Sequence, residues 1–134
     1  MFAPTGNGQW ILGGVAVGMD LSFWKYKEGV YLDNHDVYKK LSDGGYVEGL
    51  EKLPISQILK DVEIIFEDWD RQSGSNYRCK NSAFQIYTTE QFVRFDCYSV
   101  SQDDMNKIID ILFEYDCPLY DPQISKRFDG HSLL

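Results

Sequence analysis

Asp33-Asn34-His35-Asp36 is the densest local run of chemistry-bearing side chains in the sequence. Two carboxylates and an imidazole could touch a cation. A stable cation site needs further convergent ligands, however, and consecutive residues at a helix start do not all face one point. The run is read as a helix beginning, with Asn34 as N-cap and Asp36 offsetting the helix dipole. The only other histidine is His131, in the C-terminal tail. Nucleophilic catalysis needs a Ser or Cys activated by a nearby base. Neither histidine stands at a known spacing from one, and no Gly-x-Ser-x-Gly run occurs.

Cysteines are equally unpromising as ligands. Cys79, Cys97 and Cys117 are widely spaced and form no Cys-x-x-Cys pair, which argues against zinc and against a disulfide framework. Cys97 and Cys117 are read as small buried hydrophobes in a reducing compartment. The segment Thr5–Trp10 has two glycines but lacks the Lys of a phosphate loop and the third glycine of a dinucleotide fingerprint. The expectation is a non-enzymatic protein with no metal and no cofactor.

Charge gives the positive indication. The 134 residues carry 21 Asp and Glu against 13 Lys and Arg, a formal net charge of -8. That sign opposes nucleic-acid binding, which requires cations for the phosphates. It suits a basic protein partner, whose encounter it would accelerate. Acidity serving solubility alone is the competing reading. No apolar run approaches the length of a membrane helix, and no Lys or Arg precedes Lys25, so the positive n-region of a secretory signal is not expected, while a leader of another kind before Met19 stays open. A cytoplasmic location is the expectation.

The elements follow from periodicity. Residues 19–26 alternate, with Met19, Leu21 and Phe23 on one side, as in a strand. A turn at 27–29 would let Val30-Tyr31-Leu32 pair back as a second strand. A short helix over 35–42 stops at Gly44-Gly45. Pro54 opens a longer helix, along which Ile55, Ile58, Leu59, Val62, Ile65, Phe66 and Trp69 form an apolar stripe. Its opposite side holds Asp61, Glu63, Glu67, Asp68 and Asp70, the densest acidic block in the chain. Residues 71–81 read as an exposed loop.

Residues 82–88 and 91–99 alternate as a hairpin around Thr89-Glu90, with a longer turn also open. One face carries Phe84, Ile86, Val93, Phe95 and Cys97. The other carries Gln85, Tyr87, Phe92, Arg94, Asp96 and Tyr98. Ser101 caps a last helix with Asp103 and Asp104 in its first turn; Met105, Ile108, Ile109, Leu112 and Phe113 form its buried stripe. Leu119-Tyr120 would add an edge strand, and the tail from Asp121 is expected to be irregular. These elements predict an α+β fold, a two-layer sandwich with a mainly antiparallel sheet and two long helices on one face. Residues 1–18 form an N-terminal extension of undetermined order, and 19–134 a single domain.

Tyr87, Phe92 and Tyr98 on the second hairpin face could stack bases, but the basic, Gly-rich strand motif of an RNA-binding sheet is missing. An aromatic face edged by carboxylates better fits a protein interface; packing beneath another segment is the other reading.

The runs LSFWKYKEGVYLDNHDVYKKLSDG, VRFDCYSVSQDDMNKIIDIL and CPLYDPQISKRFDG resemble small bacterial proteins, some of which act as immunity proteins beside polymorphic or contact-dependent growth-inhibition toxins. The resemblance covers about residues 19–130. It implies a cognate inhibitor that binds a toxin domain, often a basic nuclease, and blocks it. Carboxylates would pair with the toxin's Lys and Arg, and aromatic rings would supply contact area. The candidate contact residues are Glu63, Glu67, Asp68 and Asp70, then Asp33, Asp36, Tyr87 and Tyr98. The alternative is a small enzyme or ligand-binding domain with a cleft near His35, Asp33 and residues 117–123.

Overall fold

The computed structural model describes residues 18–129 and, before them, the backbone of β1 (Ile11–Leu12) and β2 (Val15–Ala16), an antiparallel ribbon. His131 and most of the expected N-terminal extension lie outside the described residues. The chain then runs β3 (Met19–Phe23), α1 (Asn34–Ser42), α2 (Ile55–Ile65), β4 (Asp70–Ser73), β5 (Asn76–Cys79), β6 (Ser82–Thr89), β7 (Phe92–Tyr98), α3 (Gln102–Phe113), β8 (Leu119–Asp121) and β9 (Lys126–Phe128). It is an α+β fold with one seven-stranded antiparallel sheet, ordered β4-β5-β6-β7-β3-β8-β9.

Strand alternation sends side chains to two separate apolar clusters. The first takes Met19, Leu21 and Phe23 of β3, Phe84 and Ile86 of β6, and Val93, Phe95 and Cys97 of β7. Ile58 and Val62 of α2 join it, as do Met105, Ile108, Ile109 and Leu112 of α3. The second, smaller cluster holds Trp24, Phe92 and Tyr120 together with Val37 and Leu41 of α1, and Val47 and Leu50 of the segment that follows. Ring contacts are dense in both. Phe84 lies 4.9 Å from Phe66 and from Tyr77, and Trp24 lies 5.2 Å from Tyr120, between ring centroids.

The alternating faces of the 82–99 hairpin and the cap of α3 match the sequence expectation. Ser101 accepts a hydrogen bond from the Asp104 backbone N–H, and Asp103 and Asp104 occupy the first turn. Register sets the hairpin turn one residue later than expected: Thr89 pairs with Phe92, leaving Glu90-Gln91 as the turn.

Several expected elements differ. Val30-Tyr31-Leu32 is not a strand, and Tyr31 is 89% exposed. The segment after β3 pairs instead with residues 49–51: Lys27 N–H donates to the Gly49 carbonyl, and Glu51 N–H to that of Lys25. Gly49 takes φ of +94° there, and a Cβ would stand 2.9 Å from Val30 Cγ1, so both conformation and space call for glycine. Asp33, not Asn34, caps α1 by accepting from Asp36 N–H. Asn34 is drawn away because its Oδ1 accepts from the Tyr26 hydroxyl at 2.7 Å.

α2 ends at Ile65 rather than continuing to Trp69. Ile58, Val62 and Phe66 are buried, but Ile65 falls at the edge of the stripe and is 49% exposed. The polar 71–81 stretch is no loop: β4 and β5 form a hairpin around Gly74-Ser75, with a register shift between Arg71 and Ser73. All four β4 residues are exposed, because this strand is the sheet edge. Leu119–Asp121 is internal, between β3 and β9, and Lys126–Phe128 of the supposedly irregular tail supplies the other edge.

Candidate functional site

The acidic block is distributed over α2, the turn after it and β4. Glu63, on the exposed side of α2, makes an ion pair with Arg71 at 2.8 Å. Glu67 and Asp68 are exposed in the turn, and Asp70 is exposed at the start of β4, opposite Arg78. Asp61 is already engaged: its carboxylate accepts from the Tyr115 hydroxyl and from Gln57 Nε2. The bond to Tyr115 ties α2 to the end of α3.

Between those two helices lies a groove of about 440 Å³. Ile64, Ile65 and Ile111 form its apolar part, while Asp61, Asp110 and Glu114 line it with carboxylates against one cation, Lys107. Ile64 is 59% exposed. An exposed aliphatic strip edged by carboxylates is suited to a segment that is itself amphipathic and basic. Sequence reasoning identified Asp61 and the acidic block but missed the aliphatic strip. The signal was available, because adjacent Ile64 and Ile65 point about 100° apart on a helix and cannot both share one narrow core stripe.

Asp33 and Asp36 are elsewhere. They open α1, whose buried side belongs to the second cluster, whereas that of α2 belongs to the first. Asp33 is committed to its cap, and Asp36 lies 3.9 Å from Lys39. The aromatic set also divides. Phe92 is fully buried, Tyr87 is half-buried against it with the Arg94 guanidinium 5.0 Å from the Tyr87 ring, and only Tyr98 is exposed. Packing therefore accounts for Phe92 and for much of Tyr87.

On the same sheet face, Asp20 and Asp96 stand opposite each other on β3 and β7. Asp96 takes Arg94 in two contacts, at 2.9 and 3.2 Å, and Asp20 accepts from the Tyr38 hydroxyl at 2.9 Å. Burial first, then the bond to Asp20 and its charge, push the Tyr38 phenol up to about 12. This network joins α1 to the sheet through polar groups.

His35 is exposed, with Nδ1 hydrogen-bonded to the Tyr120 hydroxyl at 2.8 Å and its ring stacked 5.8 Å from Tyr38. That bond does bring His35 to the 117–123 segment. The neighbouring cavity, however, takes Asp116, Pro118 and Arg127 in its lining, with neither His35 nor Asp33. Among the described residues, no three His, Cys, Asp or Glu side chains are grouped to hold a metal ion. No described helix is long and apolar enough to cross a membrane. The sequence matches no known protein family, and no curated protein matches it.

Proposed function

We propose that this chain is a non-enzymatic cytoplasmic binding protein, an immunity protein that neutralises a basic bacterial toxin domain through the surface formed by α2, the turn after it and the α2–α3 groove. The observation that carries the reading is an exposed isoleucine pair in acidic surroundings: Ile64 and Ile65, over the buried Ile111, share a groove with Asp61, Asp110 and Glu114, and Glu63, Glu67, Asp68 and Asp70 are exposed on α2, the turn after it and β4. Carboxylates would steer and orient the toxin's Lys and Arg, and the aliphatic strip would supply the desolvated centre. Asp33, Asp36, Tyr87 and Tyr98 would stand outside that principal contact. The finer architecture belongs to the same reading. A two-layer sandwich with α2 and α3 on one face is supported by their shared membership of the first apolar cluster, and it leaves their outer sides available to a partner.

The test is co-expression with the product of the adjacent upstream reading frame, scored for toxicity with and without this chain. Rescue of growth, together with a stoichiometric complex weakened by salt, is expected. Reversing charge with Glu63→Lys, Glu67→Lys, Asp68→Lys and Asp70→Lys should abolish rescue while the thermal melt remains cooperative. Absence of both rescue and complex would reject the immunity reading. Rescue unaffected by the four reversals would reject the siting.

A further inference from the structure

Arg127 is only 6% exposed, a rare placement for a guanidinium. Its Nη2 donates to the Trp24 carbonyl at 2.7 Å, and its central carbon sits 4.7 Å from the Tyr26 ring centroid and 5.3 Å from that of Trp24. Burial lowers the Arg127 pKa from its ordinary value, and the nearby Tyr26, Cys117 and Asp129 only partly oppose that fall. Yet Nε is buried without a hydrogen-bond partner. A buried donor left unmatched is costly, and a buried cation more so, unless something arrives to satisfy it.

Arg127 lines a cavity of about 460 Å³, within the size range of small-molecule sites. Lys25, Lys27 and Asn34 line it too. The Tyr26 hydroxyl donates to Asn34 Oδ1, which leaves the Asn34 N–H2 free to act as a donor. Two exposed carboxylates, Glu28 and Asp116, also line the cavity, against three cations. In a protein of net charge -8, cations thus outnumber carboxylates among the lining residues, with Asp129 close to Arg127 outside the lining. Tyr26 and Tyr31 add apolar wall area.

We infer that the cavity between the 25–34 segment and β9 binds a small organic anion, a carboxylate or phosphate monoester with a flat apolar body, through Arg127, Lys25, Lys27 and Asn34. The guanidinium supplies a planar donor edge held in place by two rings, and the lysines supply charge at the mouth. This site is independent of the acidic α2–α3 surface, so either can fail alone.

NMR titration with benzoate and phenyl phosphate tests it, with neutral benzamide as the control. Saturable shifts of the Arg127 Nε–H and Trp24 indole signals are expected with one or both anions and not with benzamide. A preference between the two separates carboxylate from phosphate as the natural group. Lys25→Ala, which leaves the buried guanidinium intact, should weaken anion binding by about tenfold or more. Arg127→Lys should weaken it further where the variant remains folded. No saturable shift with either anion, equal shifts with benzamide, or unchanged affinity in Lys25→Ala would each overturn the assignment.

Discussion

Gln91 satisfies both backbone polar groups of Val47. Its Oε1 accepts from Val47 N–H at 3.0 Å, and its Nε2 donates to the Val47 carbonyl at 2.8 Å, all in a buried setting. One side chain in the β6–β7 turn thereby acts as a strand for the loop after α1. Gln91→Leu removes both partners and should cost about 2–4 kcal/mol in urea unfolding. Gln91→Glu gives a sharper test. Its ionised carboxylate would face the Val47 carbonyl, so burial and repulsion would raise its pKa in the folded state. The stability lost to that variant should return below the ordinary carboxyl range and disappear again as pH rises through the raised value. A Gln91→Glu variant equally stable at about pH 5 and about pH 8 would contradict this account.

Asp20 and Asp96 carry like charges on directly paired residues. Burial first raises the Asp96 pKa; Asp20 adds to the rise and Arg94 opposes it. A carboxyl raised in this way holds its proton more tightly folded than unfolded. Its favourable contribution is complete below the ordinary Asp range and is lost as pH climbs through the raised value. Asp20→Asn keeps an acceptor for Tyr38 while removing one charge. It should lower the Asp96 midpoint in a carboxyl-carbon NMR titration and add about 0.2–1 kcal/mol near neutral pH. An unmoved midpoint would mean the two charges are screened from each other.

Thiol reactivity should divide sharply. Cys97 and Cys117 are buried and Cys79 is half-buried; burial pushes the Cys97 thiol up and that of Cys117 up to about 12. A disulfide-exchange reagent at mildly alkaline pH should label Cys79 alone in the native protein and all three cysteines in denaturant. Rapid native labelling of Cys117 would show that the β8 side of the core opens readily.

Ile64→Ser combined with Ile65→Ser separates binding from folding. Both side chains are about half exposed, so unfolding free energy should change by no more than about 0.5 kcal/mol per site. Rescue of growth in the co-expression assay should nevertheless be lost. Retained rescue would remove the aliphatic strip from the contact.

What could be read from the sequence was whatever local periodicity encodes. Alternation in 82–99 identified the paired faces, and Ser101 with Asp103 and Asp104 identified the start of α3. The β4–β5 hairpin escaped because its four-residue edge strand is wholly exposed, leaving no apolar alternation to detect. Tyr26 competing for the Asn34 side chain shifted the cap of α1 to Asp33, a contact across eight residues that propensity does not contain. The candidate site was legible as an acidic block but not as a groove, since Ile111 and Asp110 meet Ile64 and Ile65 only through tertiary packing. Arg127 lay in a stretch expected to be irregular tail, and its burial depends on Trp24, 103 residues earlier.

The position of β3 has a consequence for synthesis. It is the earliest strand of the seven, yet it lies between β7 and β8, pairing Leu21 with Phe95 and Ser22 with Tyr120. As the chain leaves the ribosome, Met19–Phe23, with its three apolar side chains Met19, Leu21 and Phe23, lacks its sheet partners until residues 92–98 and then 119–121 have followed it out. For most of its translation the nascent chain therefore presents a sticky strand with no native neighbour. Chaperone occupancy should be concentrated on that interval and should fall once the β7 segment has emerged.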